Sequence, residues 1–271
     1  MKQKRILLLA SMAMLMFGCK AQTSANEQAA PATAPVTMEA PAVEKLSPRQ
    51  LLESKLKKDM PYAELRKIVL ADGWLPLRTA ACKENVGGEA DICDRQPEVE
   101  SCSGDGHCNM WFVDAAVTNK LRVGTYDEAI KFFEFSAMTE APKIISCPSQ
   151  DFKKFLEEFS SSKATQISFT SQFIKVMDMI DLDGKGYVER QIYVAKHEYK
   201  DFDLRYINNS FHVVDSDDKA DETATPLEIK SEGTDSYFVK YFYGMSEGNS
   251  YRFQKKNDCW YLTEDPEAPA P

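Results

Sequence analysis

The sequence predicts an α+β protein built from two small disulfide-braced domains, set behind an export signal and an unstructured tether. Three observations lead there. Apolar residues recur at helical spacing in only a few short segments, and over most of the second half they alternate with period two, as half-buried strands do. Six cysteines follow Cys19, an even number that in an exported chain points to disulfides. Of the 271 residues 43% are apolar and 11% aromatic, enough to build a core and to exclude a wholly disordered chain. The formal charge of −9, from 33 basic and 42 acidic side chains, argues against nucleic-acid binding, which needs clustered Lys and Arg. The single long apolar run is N-terminal, which excludes a multispan membrane protein.

Residues 1–18 read as a signal peptide. Lys2, Lys4 and Arg5 precede an apolar stretch at 6–18 that is too short to span a hydrocarbon core of ~30 Å. The stretch closes on Leu15-Met16-Phe17-Gly18-Cys19, which resembles the lipobox of bacterial lipoproteins, with Met16 and Phe17 departing from the usual residues. The resemblance implies cleavage before Cys19, acylation of that residue, and a membrane anchor. Lys20 follows where Asp would mark inner-membrane retention, so it implies the outer membrane with the body facing the periplasm. Loss of Lys2, Lys4 and Arg5 takes the charge from −9 to −12, which keeps the body off an anionic leaflet. Residues 19–46, rich in Ala, Pro, Thr, Gln and Ser, cannot bury enough apolar surface to offset ordering and form the tether.

The first domain is expected over 47–125. Ser47 is placed to cap a helix at 48–57, and Pro61 with Glu64 opens a second. Leu65, Ile68 and Val69 supply the apolar stripe, and Gly73 is the left-handed stop. An extended segment at 74–77, a Cys-rich loop and two strands at 108–115 and 120–125 follow, the strands joined by a turn at Thr118-Asn119. The run Met60-Pro61-Tyr62-x-Glu64-Leu65-Arg66-Lys67-x-x-Leu70-x-x-Gly73-Trp74-x-Pro76 resembles the exported α/β modules of beta-lactamase inhibitor protein-like folds. That resemblance implies a helical hairpin on a small antiparallel sheet that serves as a binding surface.

Residues 126–149 are expected to be a connector, helical at 127–135 and broken by Pro142 and Pro148. The second domain, 150–263, opens with a helix at 150–161 whose Phe152, Phe155, Leu156 and Phe159 fall on one face. Strands are expected at 174–180, 187–195, 204–207, 211–214, 227–231, 236–244 and 250–262, the last two across a turn containing Ser246-Glu247-Gly248-Asn249. One helix followed by a curved antiparallel sheet is similar to nuclear transport factor 2-like domains, which implies a cone that can enclose a cavity. Residues 264–271 read as a disordered tail.

Four cysteines cluster at Cys82, Cys93, Cys102 and Cys108, and spacing leaves two pairings open. The local one joins Cys82 to Cys93 and Cys102 to Cys108; the nested one joins Cys82 to Cys108 and Cys93 to Cys102. Cys147 and Cys259 are expected to pair, holding the entry of the first helix against the last strand. His107 beside Cys102 and Cys108 raises a zinc alternative, but neither Cys pair has knuckle spacing, and no metal or other cofactor is expected.

Asp181-Leu-Asp183-Gly-Lys185-Gly186 looks like half a calcium loop, but Lys185 and Ile192 stand where ligands belong, so it reads as a turn. The acidic run Asp215, Asp217, Asp218, Asp221 and Glu222 reads as a solvated loop. No nucleophile elbow, phosphate loop or dinucleotide fingerprint is present, and His107, His197 and His212 lie apart. The expectation is therefore a non-catalytic envelope lipoprotein that binds or scaffolds a protein partner, through Trp74, Trp111 and Phe112. The alternative is a small-ligand binder, or an isomerase- or dehydratase-like enzyme, using an apolar cavity of the second domain. Its candidate residues are His197, Asp203 and Tyr193.

Overall fold

Ser47 caps the first helix, α1 (Pro48–Glu53), by a reciprocal capping box with Gln50. In the computed structural model, which describes residues 46–88, 90–138, 146–181, 186–243 and 247–267, a second helix follows, α2 (Tyr62–Ala71). It ends in a Schellman motif: Gly73 has φ 82°, its N–H bonds to Leu70, and the Trp74 N–H reaches back to Val69. The signal peptide, Cys19 and the tether expected at 1–46 lie outside the described residues up to position 45. Among the described residues no helix is long and apolar enough to cross a membrane.

Strand β1 (Leu75–Arg78) leads through a 3-10 turn (Ala80–Glu84) to α3 (Asp91–Arg95), then to β2 (Val99–Cys102), β3 (His107–Val113), β4 (Asn119–Tyr126) and β5 (Ala129–Ala137). The β3–β4 turn is organised by Asp114, whose carboxylate accepts from the Thr118 and Asn119 backbones at 2.6 and 3.1 Å. Residues 127–135, expected to be helical, are instead a tight turn and a strand. Asp127 and Glu128 both have positive φ, as a two-residue hairpin turn requires. A register shift opposite Gly124/Thr125 then lets both Ile130 and Phe133 meet the core, three residues apart, which imitates helical spacing.

The chain continues with α4 (Phe152–Ser161), α5 (Lys163–Phe169), β6 (Thr170–Asp181), β7 (Tyr187–Ala195), β8 (Leu204–Ile207) and β9 (Ser210–Val213). It closes with β10 (Leu227–Ser231), β11 (Ser236–Tyr243), β12 (Glu247–Lys256) and β13 (Cys259–Asp265). Helix α5 was not legible as a separate element, because Ser162 both ends α4 and caps α5. The strand expected at 250–262 is two strands: Asn257 and Asp258 take positive φ and form a hairpin turn between β12 and β13. The tail expected from 264 likewise begins later, since Glu264 and Asp265 complete β13.

The sheet runs in the order β10-β11-β12-β13-β6-β7-β1-β3-β4-β5, with β2 also on β3, and β8 and β9 form a separate hairpin. Strand β1 joins its halves. Leu75 and Pro76 pair antiparallel with β3, Leu77 and Arg78 pair parallel with β7. Pro76 has no N–H for a ladder, and the partner changes there.

Two aromatic-rich cores lie against this sheet. In one, Leu52, Leu65, Val69 and Trp74 pack on Val99, Met110, Phe112, Leu121, Val123 and Ile130. In the other, Phe152, Phe155, Leu156 and Phe159 of α4 meet Tyr241, Tyr251, Phe253, Trp260 and Leu262. Each such side chain contributes ~1.5–3 kcal/mol on burial. Glu98 is fully buried at the edge of the first core, accepting from the Tyr62 hydroxyl at 2.6 Å and Arg66 Nε at 2.5 Å. Burial and the Glu98 charge hold the Tyr62 hydroxyl well above its ordinary pKa. Arg66→Leu strands that carboxylate and is expected to cost about 3 kcal/mol. Chemical denaturation checks it, and a loss below ~1 kcal/mol speaks against the pair.

The disulfides follow the local pairing: Cys82–Cys93, Cys102–Cys108 and Cys147–Cys259. The nested alternative is thereby corrected, because Cys102 and Cys108 face each other across β2 and β3 with Cα atoms 4.1 Å apart. With their sulfurs bonded, these cysteines offer no thiolates to the zinc site weighed from the sequence.

Candidate functional site

The expected partner surface does not form as a patch. Trp74 and Phe112 are core residues, 2% and 0% exposed, because the end of α2 and the inward positions of β3 face the same interior. Only Trp111, on the opposite face of β3, stays partly open, with Lys120 Nζ 4.6 Å from its ring centre. The three residues weighed for catalysis are not brought together either. His197 is 81% exposed, beside Glu198. Tyr193 is buried in the cluster with Leu77 and Phe173, its hydroxyl donating to the Ala115 carbonyl at 3.4 Å. His107 leans on the Tyr126 ring, and His212 is held between Ser210 and the Asp221 carbonyl. The calcium-like loop lies partly at 182–185, outside the described residues; Asp181 accepts from the Gly186 N–H.

His197 lines one cleft, with Trp111 and Lys120, while Asp203 reaches another, more acidic one. This cleft, of about 850 Å³, opens beside β6, β12, β13 and the segment leading into β8. Its walls carry Asp178, Asp201, Asp203, Asp215, Asp265 and Lys200 among others. The side chains around it are fixed by the packing beneath. Tyr241 and Tyr251 project from β11 and β12 through the second core, and their hydroxyls donate to the two oxygens of Asp203. Asn249 donates to the Tyr251 oxygen at 3.0 Å. Burial raises the Asp203 pKa, while these hydrogen bonds oppose the rise.

Asp265, the last residue of β13, is 5% exposed. Its Oδ2 accepts from the Tyr199 hydroxyl at 2.8 Å; its Oδ1 is buried and accepts no hydrogen bond. Desolvation, with Asp201, Asp203 and Glu267 nearby, pushes this carboxyl up to about 7. Tyr199 and Tyr251 are held well above the ordinary tyrosine range, first by burial and then by Asp265 and Asp203 respectively.

The remaining charges divide into paired and unpaired. Asp178 is met by Arg78 at 3.3 Å and by Arg190 at 2.7 Å, Asp218 by Arg205, and Glu267 by Lys240 at 2.6 Å. Asp201, Asp203, Asp215 and Asp265 form no ion pair among the described residues. The acidic run read as a solvated loop thus supplies one wall, with Asp215 also tying the Asp217 and Lys219 backbones. Among the described residues no three ligand-type side chains are placed to share one metal ion.

Asp265 was missed because it falls in the segment read as a tail. The signal was the alternation Trp260-Tyr261-Leu262-Thr263, which continues the strand past 262. Tyr199, Tyr241 and Tyr251 carried no local sign of convergence.

No protein-family model and no curated protein sequence matches the chain. Among solved structures, a crystal structure of an NTF2-like protein from Bacteroides fragilis is similar to it, with 11% identity and a TM-score of 0.29, over 73% of this chain and 75% of that one. At that level the likeness carries no argument about the site.

Proposed function

We propose that the chain is a non-catalytic binding module of the bacterial cell envelope, anchored through acyl chains on Cys19 and working in the periplasm with an envelope protein partner or a ligand. The observation that carries the binding part is the cleft around Asp265. It concentrates fixed negative charge, while the tyrosine hydroxyls that border it are already donated to Asp203 and Asp265. Acids outnumber bases along its walls, which suits a ligand that brings its own donors and positive charge. The three disulfides support an oxidising compartment, and the lipobox-like start supports the anchor. The interior under α4, where an apolar cavity was expected, is packed with Phe152, Phe155, Phe159, Phe202 and Phe253. That packing weighs against a catalytic pocket there.

An isomerase- or dehydratase-like reading keeps one observation in its favour, the carboxyl of Asp265 poised near neutrality as a general base. The two readings separate by whether a bound small molecule is recovered unchanged.

The anchor is tested by Cys19→Ala. The wild-type chain is expected in the membrane fraction and the variant in the soluble periplasmic fraction. A wild-type chain that stays soluble contradicts the anchor, as does a variant that remains membrane-bound.

A further inference from the structure

We infer that the cleft beside β6, β12 and β13 binds a small organic cation, with an ammonium group of the ligand pairing with the carboxylate of Asp265. The inference rests on reading the chain as a binding module and names the ligand class. Three observations converge on it.

First, Oδ1 is the one carboxylate oxygen in the cleft that is buried with no hydrogen bond, on a residue 95% buried by its 5% exposure. An unsatisfied buried acceptor is unfavourable, so Asp265 gains from a donor that a ligand brings to its carboxylate. Second, acids dominate the charge around it. Asp201 and Asp203, from the segment entering β8, and Glu267, beyond β13, all act on Asp265. Lys240 of β11 is engaged by Glu267, Lys175 of β6 by Glu264, and Asp178 of β6 by Arg78 and Arg190. Tyr199 faces Asp265 as a donor, and Tyr241 and Tyr251 are committed to Asp203. Arg78, Lys163 and Lys200 line the cleft as well, three cations against seven acids. Third, Val176, Phe202 and Val214 share the lining, giving an alkyl chain an apolar wall. The volume of about 850 Å³ fits a small organic molecule. A bare metal ion fits less well, since among the described residues no three ligand-type side chains converge.

The test is calorimetric titration of the full chain, extracted in detergent, with 1,4-diaminobutane. Both of its amines stay protonated below about pH 8, so the ligand's own charge is constant. Because the ammonium prefers the ionised acid, affinity is expected to rise about tenfold from about pH 6 to about pH 8. Asp265→Asn is expected to weaken binding at about pH 8 at least ~10-fold and to flatten the pH dependence. Asp201→Asn, an exposed change at the cleft wall that leaves the core untouched, is expected to weaken binding several-fold, and guards against a folding defect in the first variant. Absence of binding by the wild-type chain overturns the inference. So does an Asp265→Asn variant with unchanged affinity and pH profile, or calcium displacing the diamine at equal concentration. None of these results bears on the anchor at Cys19, which the fractionation experiment decides separately.

Discussion

Serine at both Cys147 and Cys259 is expected to lower the unfolding free energy by about 4–5 kcal/mol, the largest loss from any of the three disulfides. The bond closes a sequence separation of 112 residues, against 11 and 6 for the other two. In the chain-entropy description a loop of that length is worth ~4.7 kcal/mol, while the short loop of Cys102–Cys108 is worth ~2 kcal/mol. The native state adds a local reason. Cys259 opens β13 and Cys147 precedes α4, so the bond fastens the helix that covers the second core. The same junction is held by Trp260 Nε1 donating to the Gln150 carbonyl at 3.1 Å and by Gln150 donating to the Asp258 carbonyl. Urea denaturation of the double variant measures the effect. A loss no greater than that from removing Cys102–Cys108 contradicts the assignment of this bond as the main clamp.

The second large effect is a change in how stability depends on pH. Asp265 titrates near 7 in the folded chain and near ~3.9 when unfolded. Between those values the folded state keeps a proton that the unfolded chain has released. The contribution of Asp265 to stability is therefore fullest below about pH 4, falls as pH rises toward about 7, and is level above that, by ~4 kcal/mol at most. This is the reverse of a salt-bridged aspartate. Asp265→Asn retains an acceptor for Tyr199 and cannot ionise. The variant is expected to be more stable than the wild type at about pH 8 and no more stable at about pH 4. Equilibrium unfolding of both proteins at the two pH values decides it. Parallel profiles contradict an ionisable, desolvated Asp265.

Both effects arise where sequence reading had unequal reach. The Cys147–Cys259 bond was legible because those two cysteines stand apart from the cluster, and the stripe of Phe152, Phe155, Leu156 and Phe159 marks α4 without tertiary information. Strands β7, β8 and β10 were legible to the residue from alternation between turn residues. What misled was periodicity interrupted by backbone devices. The bulge in β5 spaced Ile130 and Phe133 like a helix, and the Asn257-Asp258 turn is too short to break an apolar pattern. Two of the three aromatic residues expected at a surface, Trp74 and Phe112, are core, since Trp and Phe serve both roles and only the packing separates them.

The cleft was the least legible part. Its residues come from positions 176–178, 200–203, 214–216, 248–249 and 265 among others, brought together by strand order rather than by proximity in the chain. Asp203 was singled out, but with the wrong companions: His197 points to solvent, Tyr193 serves another cluster, and two tyrosines from β11 and β12 take their places. The unsatisfied oxygen of Asp265 depends on what neighbouring strands fail to offer, which no local pattern encodes.

The intact mass of the protein extracted from the membrane tests the proposed body tethered through Cys19 with Cys82, Cys93, Cys102, Cys108, Cys147 and Cys259 paired. The expected chain begins at Cys19, carries added acyl mass, and is six hydrogens lighter than the reduced form, two for each of the disulfides. A mass matching the unprocessed chain, or six free thiols, contradicts it.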